Sequence, residues 1–213
     1  MIASRYAGCM IEIDHVIVPV PDLDRGAAQL FDKFGLSSVP GGRHAGHGTG
    51  NRVIPLGADY LELMAVVDPT EADASPLGRW VTAHTTTDLT PAALCLRTDD
   101  IASIAAHLEE EPEAMSRQRP DGSTLSWHVA GLSGMLGPDN RPFFIEWHCR
   151  PQDHPGATPV DHCVEIVGIA GVKIGAPGSL EPILAGIDGI SITEGVGVIE
   201  TTIGTTTGPI TLG

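Results

Sequence analysis

The stretch "IEIDHVIVPVPDLDRGAAQLFDKFG", residues 11–35, decides how the chain is organised. Its first ten residues form an apolar run of the kind a buried strand needs. Pro21 and Asp22 then open a helix that Gly35 closes, because Pro is pre-set for a first helical turn and Gly accepts the left-handed backbone at its end. "LSSVP" begins a second strand, and the turn-rich "GGRHAGHGTG" leads to two more apolar runs, "NRVIPLG" and "DYLELMAVVDP". The order is βαβββ. One residue does not suit a plain buried strand: His15, in the middle of the first run.

The same order returns from residue 92. Strand "AALCLRT" is followed by helix "DDIASIAAHLEEE", a loop with a short strand near "SRQRPDG", strand "TLSWHVAGL" and strand "PFFIEWHC". The cue "PDLDRGAAQL" matches "DDIASIAAHL", and "YLELMAVVDP" matches "FIEWHCRP". A repeat this long indicates paired modules that complete one sheet, not a solenoid. A third, worn copy begins at "VDHCVEIVGI", with a short helix in "GSLEPILAG" and strands near "ISITEG", "GVIETTI" and "PITL". The expected architecture is α+β: paired βαβββ modules in a cupped, partly closed mixed sheet. Module one spans residues 11–70 and module two 90–150, within a domain of 11–155. Residues 156–213 form a partial module packed on it.

Composition bounds the function. Twelve basic residues against 27 acidic ones give a net charge of −15, a field that repels nucleic acid and anionic membranes. The expected partners are small molecules, cations or other proteins, with no nucleic acid and no membrane, and a small-molecule substrate or ligand leads. No segment reaches the ~18 apolar residues of a membrane span, and a cytoplasmic protein is expected. The four cysteines are scattered without a Cys-x-x-Cys pair, which reads as reduced thiols.

"IDHVIVPVPDLDRGAAQLF", "PGGRHAGHGTGNRVIPLG", "YLELMAVVDP" and "RPDGSTLSWHVAGL…PFFIEW" resemble the glyoxalase-like domain proteins of the vicinal oxygen chelate superfamily, over residues 11–155 and more loosely beyond. The superfamily includes isomerases, epimerases, ring-cleaving dioxygenases, thiol transferases and drug-sequestering proteins. The resemblance implies a divalent metal held inside the cup by the first and last strands of the modules. Carried over by position, His15, Glu62 and Glu146 fall on ligand positions. Counting back from the matched helix cue, the fourth falls on Ala93, which binds no metal.

Strand alternation puts Ile13, His15 and Ile17 on one face, Tyr60, Glu62 and Met64 on one face, and Phe144, Glu146 and His148 on one face. A carboxylate among aromatic and aliphatic neighbours needs a cation or a hydrogen-bond network. One His and two Glu suit Zn²⁺, Mn²⁺, Fe²⁺, Co²⁺ or Ni²⁺ with positions left open for substrate oxygens. A core histidine bonded to backbone is the plain alternative for His15. His148, two residues beyond Glu146 on the same face, can replace the fourth ligand, and His128 and His162 are further candidates for it; the alternative is a surface or substrate-contacting histidine, with His128 as a substrate contact. "GGRHAGHG" is followed by no Gly-Lys-Ser/Thr, so it reads as a glycine-rich loop at the mouth of the cup. His44 and His47 there can touch substrate or simply be solvated. Arg52 can hold an anionic group or pair with a surface acid, and Trp127, Trp147, Phe143 and Phe144 are core residues of which some line the pocket.

The expected function is a metal-dependent lyase or isomerase acting on a small vicinal-oxygen substrate, with Glu62 or Glu146 as the general base and His15 as a fixed ligand. The absent fourth ligand supports a second expectation, a module that binds or sequesters a drug or metabolite. A ring-cleaving dioxygenase requires a second histidine beside His15. The resemblance implies a homodimer, since superfamily members often pair, with a monomer as the alternative if the third module caps the sheet edge.

Overall fold

The computed structural model describes residues 4–6, 8–119, 122–175 and 178–213. Module one consists of β2 (Cys9–Pro19), preceded by a short β1 (Ser4–Tyr6), then α1 (Leu23–Phe34), β3 (Val39–His44), β4 (Thr49–Pro55) and β5 (Tyr60–Val66). Helices α2 (Pro69–Ala74) and α3 (Pro76–His84) bridge to module two, which runs β6 (Ala93–Thr98), α4 (Ile101–Leu108), β7 (Glu113–Gln118), β8 (Thr124–Ala130), α5 (Leu132–Met135) and β9 (Phe143–Trp147). β10 (Ile166–Gly175), α6 (Glu181–Leu184), β11 (Ile190–Thr193), β12 (Val198–Thr205) and β13 (Ile210–Leu212) follow.

The helices begin and end where the sequence says. Asp22 accepts from the N–H of Arg25 at the start of α1, and Gly35 closes it at φ +70°. Asp100 caps α4 through Ser103. Asp68 and Ser75, each followed by Pro, cap α2 and α3, two helices that the sequence reading passed over.

The main sheet runs β3-β4-β5-β2-β6-β9-β8-β7, with β1 added beside β2. β2 and β6, the first strands of the two modules, pair antiparallel at its centre, and each pairs parallel with the last strand of its own module. β3 and β7, at the two ends, come into contact, so the twisted sheet nearly closes into a cup. The expected paired-module architecture is the observed one. Its convex face carries Ile11, Ile13, Val16, Val18, Leu61, Leu63 and Phe144, packed on α1 and α4. Each fully buried side chain of this kind contributes about 2 kcal/mol.

The third partial module is a separate four-stranded sheet, β11-β10-β12-β13. Its Ile169, Val172, Ile174 and Ile203 join the convex-side core. A buried carboxyl fastens it there: Asp59 Oδ1 accepts from the N–H of Ile169 at 3.0 Å.

Two local expectations change. The "GGRHAGHG" segment is a β-hairpin, not a loop: Gly41 to His44 lie in β3 and only 45–48 form the turn. Ile13 does not share a face with His15. The β2–β6 register pairs Ile13 with Leu96 and His15 with Cys95, leaving Asp14 as an extra residue, a β-bulge. Ile13 therefore lies in the convex core, whereas His15 and Ile17 line the concave side.

Candidate functional site

The concave side holds a pocket. Ile17, Met64, Met115, Trp127, Phe143 and Ile145 supply apolar walls, with Leu77 of α3 and Met135 of α5 closing over them. The polar residues at one side are His15, Glu62, His44, Asn51 and Arg117.

Because of the bulge, Asp14 and His15 turn the same way. His15 Nδ1 is 2.6 Å from Asp14 Oδ1, so that nitrogen carries the proton and donates it. Asp14 Oδ2 accepts at 3.0 Å from Trp147 Nε1 and at 3.0 Å from His154 Nε2. The His154 Nδ1 accepts from the N–H of Gly156, which fixes the tautomer that donates to Asp14. Burial pushes the Asp14 carboxyl up, but the hydrogen bonds it accepts from His15 and His154 outweigh it and hold the group below the usual carboxylate range.

The other ring nitrogen, His15 Nε2, faces Glu62 Oε2 at 3.4 Å, both side chains being nearly fully buried. The ring stacks on Tyr60 with centroids 4.5 Å apart. Asn51 Nδ2 donates to Glu62 Oε1, and His44 Nε2 stands 3.8 Å from that same oxygen. His44 is anchored through Nδ1 to Thr49 Oγ1, and burial pushes its pKa down, favouring the neutral ring. Asn51 depends on a glycine: a Cβ at Gly41 would stand 2.0 Å from Asn51 Oδ1.

With Nδ1 protonated, His15 presents a lone pair to a carboxylate oxygen. Two such atoms 3.4 Å apart in a buried pocket need either a shared proton, carried by the imidazole or by the carboxyl, or a metal ion between them. The donor chemistry fits a borderline divalent ion held by His15 Nε2 and Glu62, with Asp14 as the carboxylate that orients the ligating imidazole. Among the described residues, Asp14, His15 and Cys95 also bring potential ligand atoms within 4.8 Å of one another. Both oxygens of Asp14 already accept hydrogen bonds, which makes it an orienting group. The Cys95 thiol, directly across from His15, is pushed well up by burial and by the charges of Asp14 and Glu62.

The sequence-derived candidates therefore separate. The structure brings together His15, Glu62 and His44. Glu146 does not join them: β9 turns Phe143, Ile145 and Trp147 towards the cup and Phe144 and Glu146 away, and Glu146 Oε2 accepts from the N–H of Ile101 at the start of α4. His128 pairs with Glu146 across β8 and β9, and its Nδ1 lies 3.1 Å from Nε2 of the exposed His148, both outside the cup. Arg52 bonds to Asp24 and Ser38. His47 reaches Ser75 Oγ, and His162 spans the Ser37 N–H and the Pro55 carbonyl. Ala93 and Cys95 both belong to the apolar lining of the concave side.

Asp14, Asn51, Arg117, His154 and Cys95 were missed as site residues. Asp14 was legible as a carboxylate inside an apolar run, and Arg117 by its spacing of two from Met115. Nothing local marks His154, which comes from the loop after β9.

A nearly closed mixed sheet of paired βαβββ modules is the fold of the vicinal oxygen chelate class. The sequence model of the glyoxalase-like domain family matches residues 13–183, and the chain belongs to that family. Among solved structures, a hypothetical protein from Staphylococcus aureus shares the fold at TM-score 0.63 and 17% identity, over 95% of this chain and 84% of that one. A Streptomyces coelicolor methylmalonyl-CoA epimerase variant in complex with 2-nitronate-propionyl-CoA aligns at TM-score 0.44 and 15% identity, over 65% of this chain and 98% of that one. The Mycobacterium tuberculosis methylmalonyl-CoA epimerase aligns at 0.42 and 17%, over 64% and 86%. No curated protein sequence matches the chain. Among the described residues no helix is long and apolar enough to cross a membrane.

Proposed function

We propose that this chain is a metal-dependent isomerase or lyase that moves a proton on a small oxygenated substrate bound in the cup. The observation that carries this reading is the buried pair His15 Nε2 and Glu62 Oε2, 3.4 Å apart beside an apolar pocket. His15 and Glu62 are the residues that would hold the ion. When bound, a divalent ion supplies Lewis-acid polarisation of substrate oxygens.

The chain's own residues do the rest. Glu62 is the base: with Oε1 held by Asn51, which fixes the plane of the carboxylate, its Oε2 would have to leave the ion to take the proton from the substrate carbon and return it. Asp14 keeps the His15 proton on Nδ1 and the ring stacked on Tyr60. Met64, Trp127 and Phe143 exclude water from the reacting carbon, which strengthens every polar interaction in the pocket.

A second reading, a binding or sequestering protein, is favoured by one observation: the cup-facing residues of β9, Phe143, Ile145 and Trp147, are all apolar, so module two brings no carboxylate from its last strand. Metal content by mass spectrometry, on protein purified without chelator or affinity tag, separates the two. About one ion per chain, lost in His15→Ala and Glu62→Gln, supports the metal-dependent enzyme. No ion in any sample after divalent metals are added back overturns it and leaves the binder.

A further inference from the structure

Like Arg25, Arg79 and Arg119, Arg117 has no ion pair among the described residues, but it alone of these four lines the cup. Arg43, Arg52, Arg97, Arg141 and Arg150 all have a carboxylate oxygen within 4.0 Å. Arg117, half-buried on β7, lines the cup beside Met115 and Trp127. Among the described residues no carboxylate lies within ion-pair distance of it, and its one hydrogen bond is a long one, Nη1 to Asn51 Oδ1 at 3.5 Å. A guanidinium has five N–H donors in a planar fork, and at Arg117 most of them have no protein acceptor among the described residues and are open to a ligand or solvent at the cup. The chain holds 27 acidic residues, so surface partners are not scarce.

We propose that Arg117 is an anion-recognising residue of the pocket and that the substrate is a small monocarboxylic acid with an apolar body. This rests on the cup being the binding site proposed above. The fork receives the carboxylate in two parallel hydrogen bonds, and the apolar body lies among Met115, Trp127 and Phe143. Asn51 links this end to the chemistry, since its oxygen faces Arg117 and its nitrogen donates to Glu62. Bound on Arg117, the acid presents its neighbouring carbon to Glu62. A single charge is favoured over a phosphate dianion, because Glu62 puts a carboxylate of its own at the same end of the cup.

The test compares phenylacetate with its neutral isostere phenylacetamide, by calorimetry and by quenching of the Trp127 and Trp147 fluorescence, with EDTA present so that no ion recruits the acid. The expected result is that the wild-type chain binds the acid about tenfold or more tightly than the amide. Arg117→Gln removes that preference, Arg117→Lys restores part of it, and His15→Ala keeps it. An unchanged thermal midpoint in Arg117→Gln shows that the fold survives. Equal binding of acid and amide, absence of acid binding at millimolar concentration, or a preference that survives in Arg117→Gln each overturns the proposal. The metal measurement on His15→Ala and Glu62→Gln does not depend on Arg117, so the enzyme reading and this one fail separately.

Discussion

His15 Nδ1 stands 2.6 Å from Oδ1 of Asp14, its immediate neighbour on a strand whose successive side chains ordinarily point to opposite faces. The bulge between Ile13 and His15 makes this possible by inserting Asp14 without a partner on β6. Its consequence is a fully buried carboxylate that ties together β2, the end of β9 through Trp147, and the following loop through His154.

Asp14→Ala is therefore expected to be among the most damaging single changes in the cup. It leaves Trp147 Nε1, His154 Nε2 and His15 Nδ1 without their acceptor, at a cost of about 3 kcal/mol in urea unfolding. Asp14→Asn keeps the shape but opposes an N–H₂ group to a donor, costing about half as much. Both variants bind divalent metal more weakly than wild type in a calorimetric titration, because the His15 tautomer is no longer fixed.

Gly41→Ala tests the Asn51–Glu62 link without altering any polar group. The new methyl would stand 2.0 Å from Asn51 Oδ1 and 2.9 Å from the Asn51 carbonyl oxygen, so the amide must move off Glu62. A stability loss of roughly 2 kcal/mol is expected, with a metal affinity about tenfold lower. Unchanged metal affinity shows that Asn51 does not position Glu62.

Glu146→Gln separates the two glutamates. Glu146 sits on the convex side at the start of α4, where its carboxylate accepts from the Ile101 N–H. The substitution is expected to cost about 1 kcal/mol by weakening that helix terminus and to leave metal content unchanged, in contrast to Glu62→Gln. Loss of the ion in Glu146→Gln overturns the assignment of Glu146 to the outside.

Asp59 gives the protein a pH dependence unrelated to the cup. Burial pushes its carboxyl up from 3.8 to about 7, with the Ile169 N–H and Arg97 opposing the shift, and its Oδ2 has no hydrogen-bond partner among the described residues. Between those two values the folded chain keeps a proton that the unfolded chain has lost, so stability falls as pH rises through that window. Asp59→Asn does not titrate, so relative to wild type it gains roughly 2 kcal/mol between about pH 5 and about pH 8. Urea unfolding at the two pH values measures it, and parallel curves for the two proteins refute the buried, protonated Asp59.

The residues whose signal is local could be read from the sequence alone. The caps Asp22, Gly35 and Asp100, the apolar runs, and the matched cues that open α1 and α4 follow from the preferences of short segments, and together they determine the paired βαβββ modules. Glu62 was legible as well, because β5 alternates without interruption and Tyr60 and Met64 face the same way. Tertiary structure decided which face is concave and where alternation breaks. Phe144 and Glu146 do share a face, as their spacing says, but only the pairing of β9 with β6 and β8 turns that face outwards. The bulge at Asp14 is equally invisible from within β2, since it exists only relative to the register of β6, about eighty residues away. His154 and Arg117 reach the site from a loop and a strand distant in the chain. Their roles follow from what stands across the cup from them: a buried carboxylate for His154, and for Arg117 apolar walls with no carboxylate within ion-pair distance among the described residues.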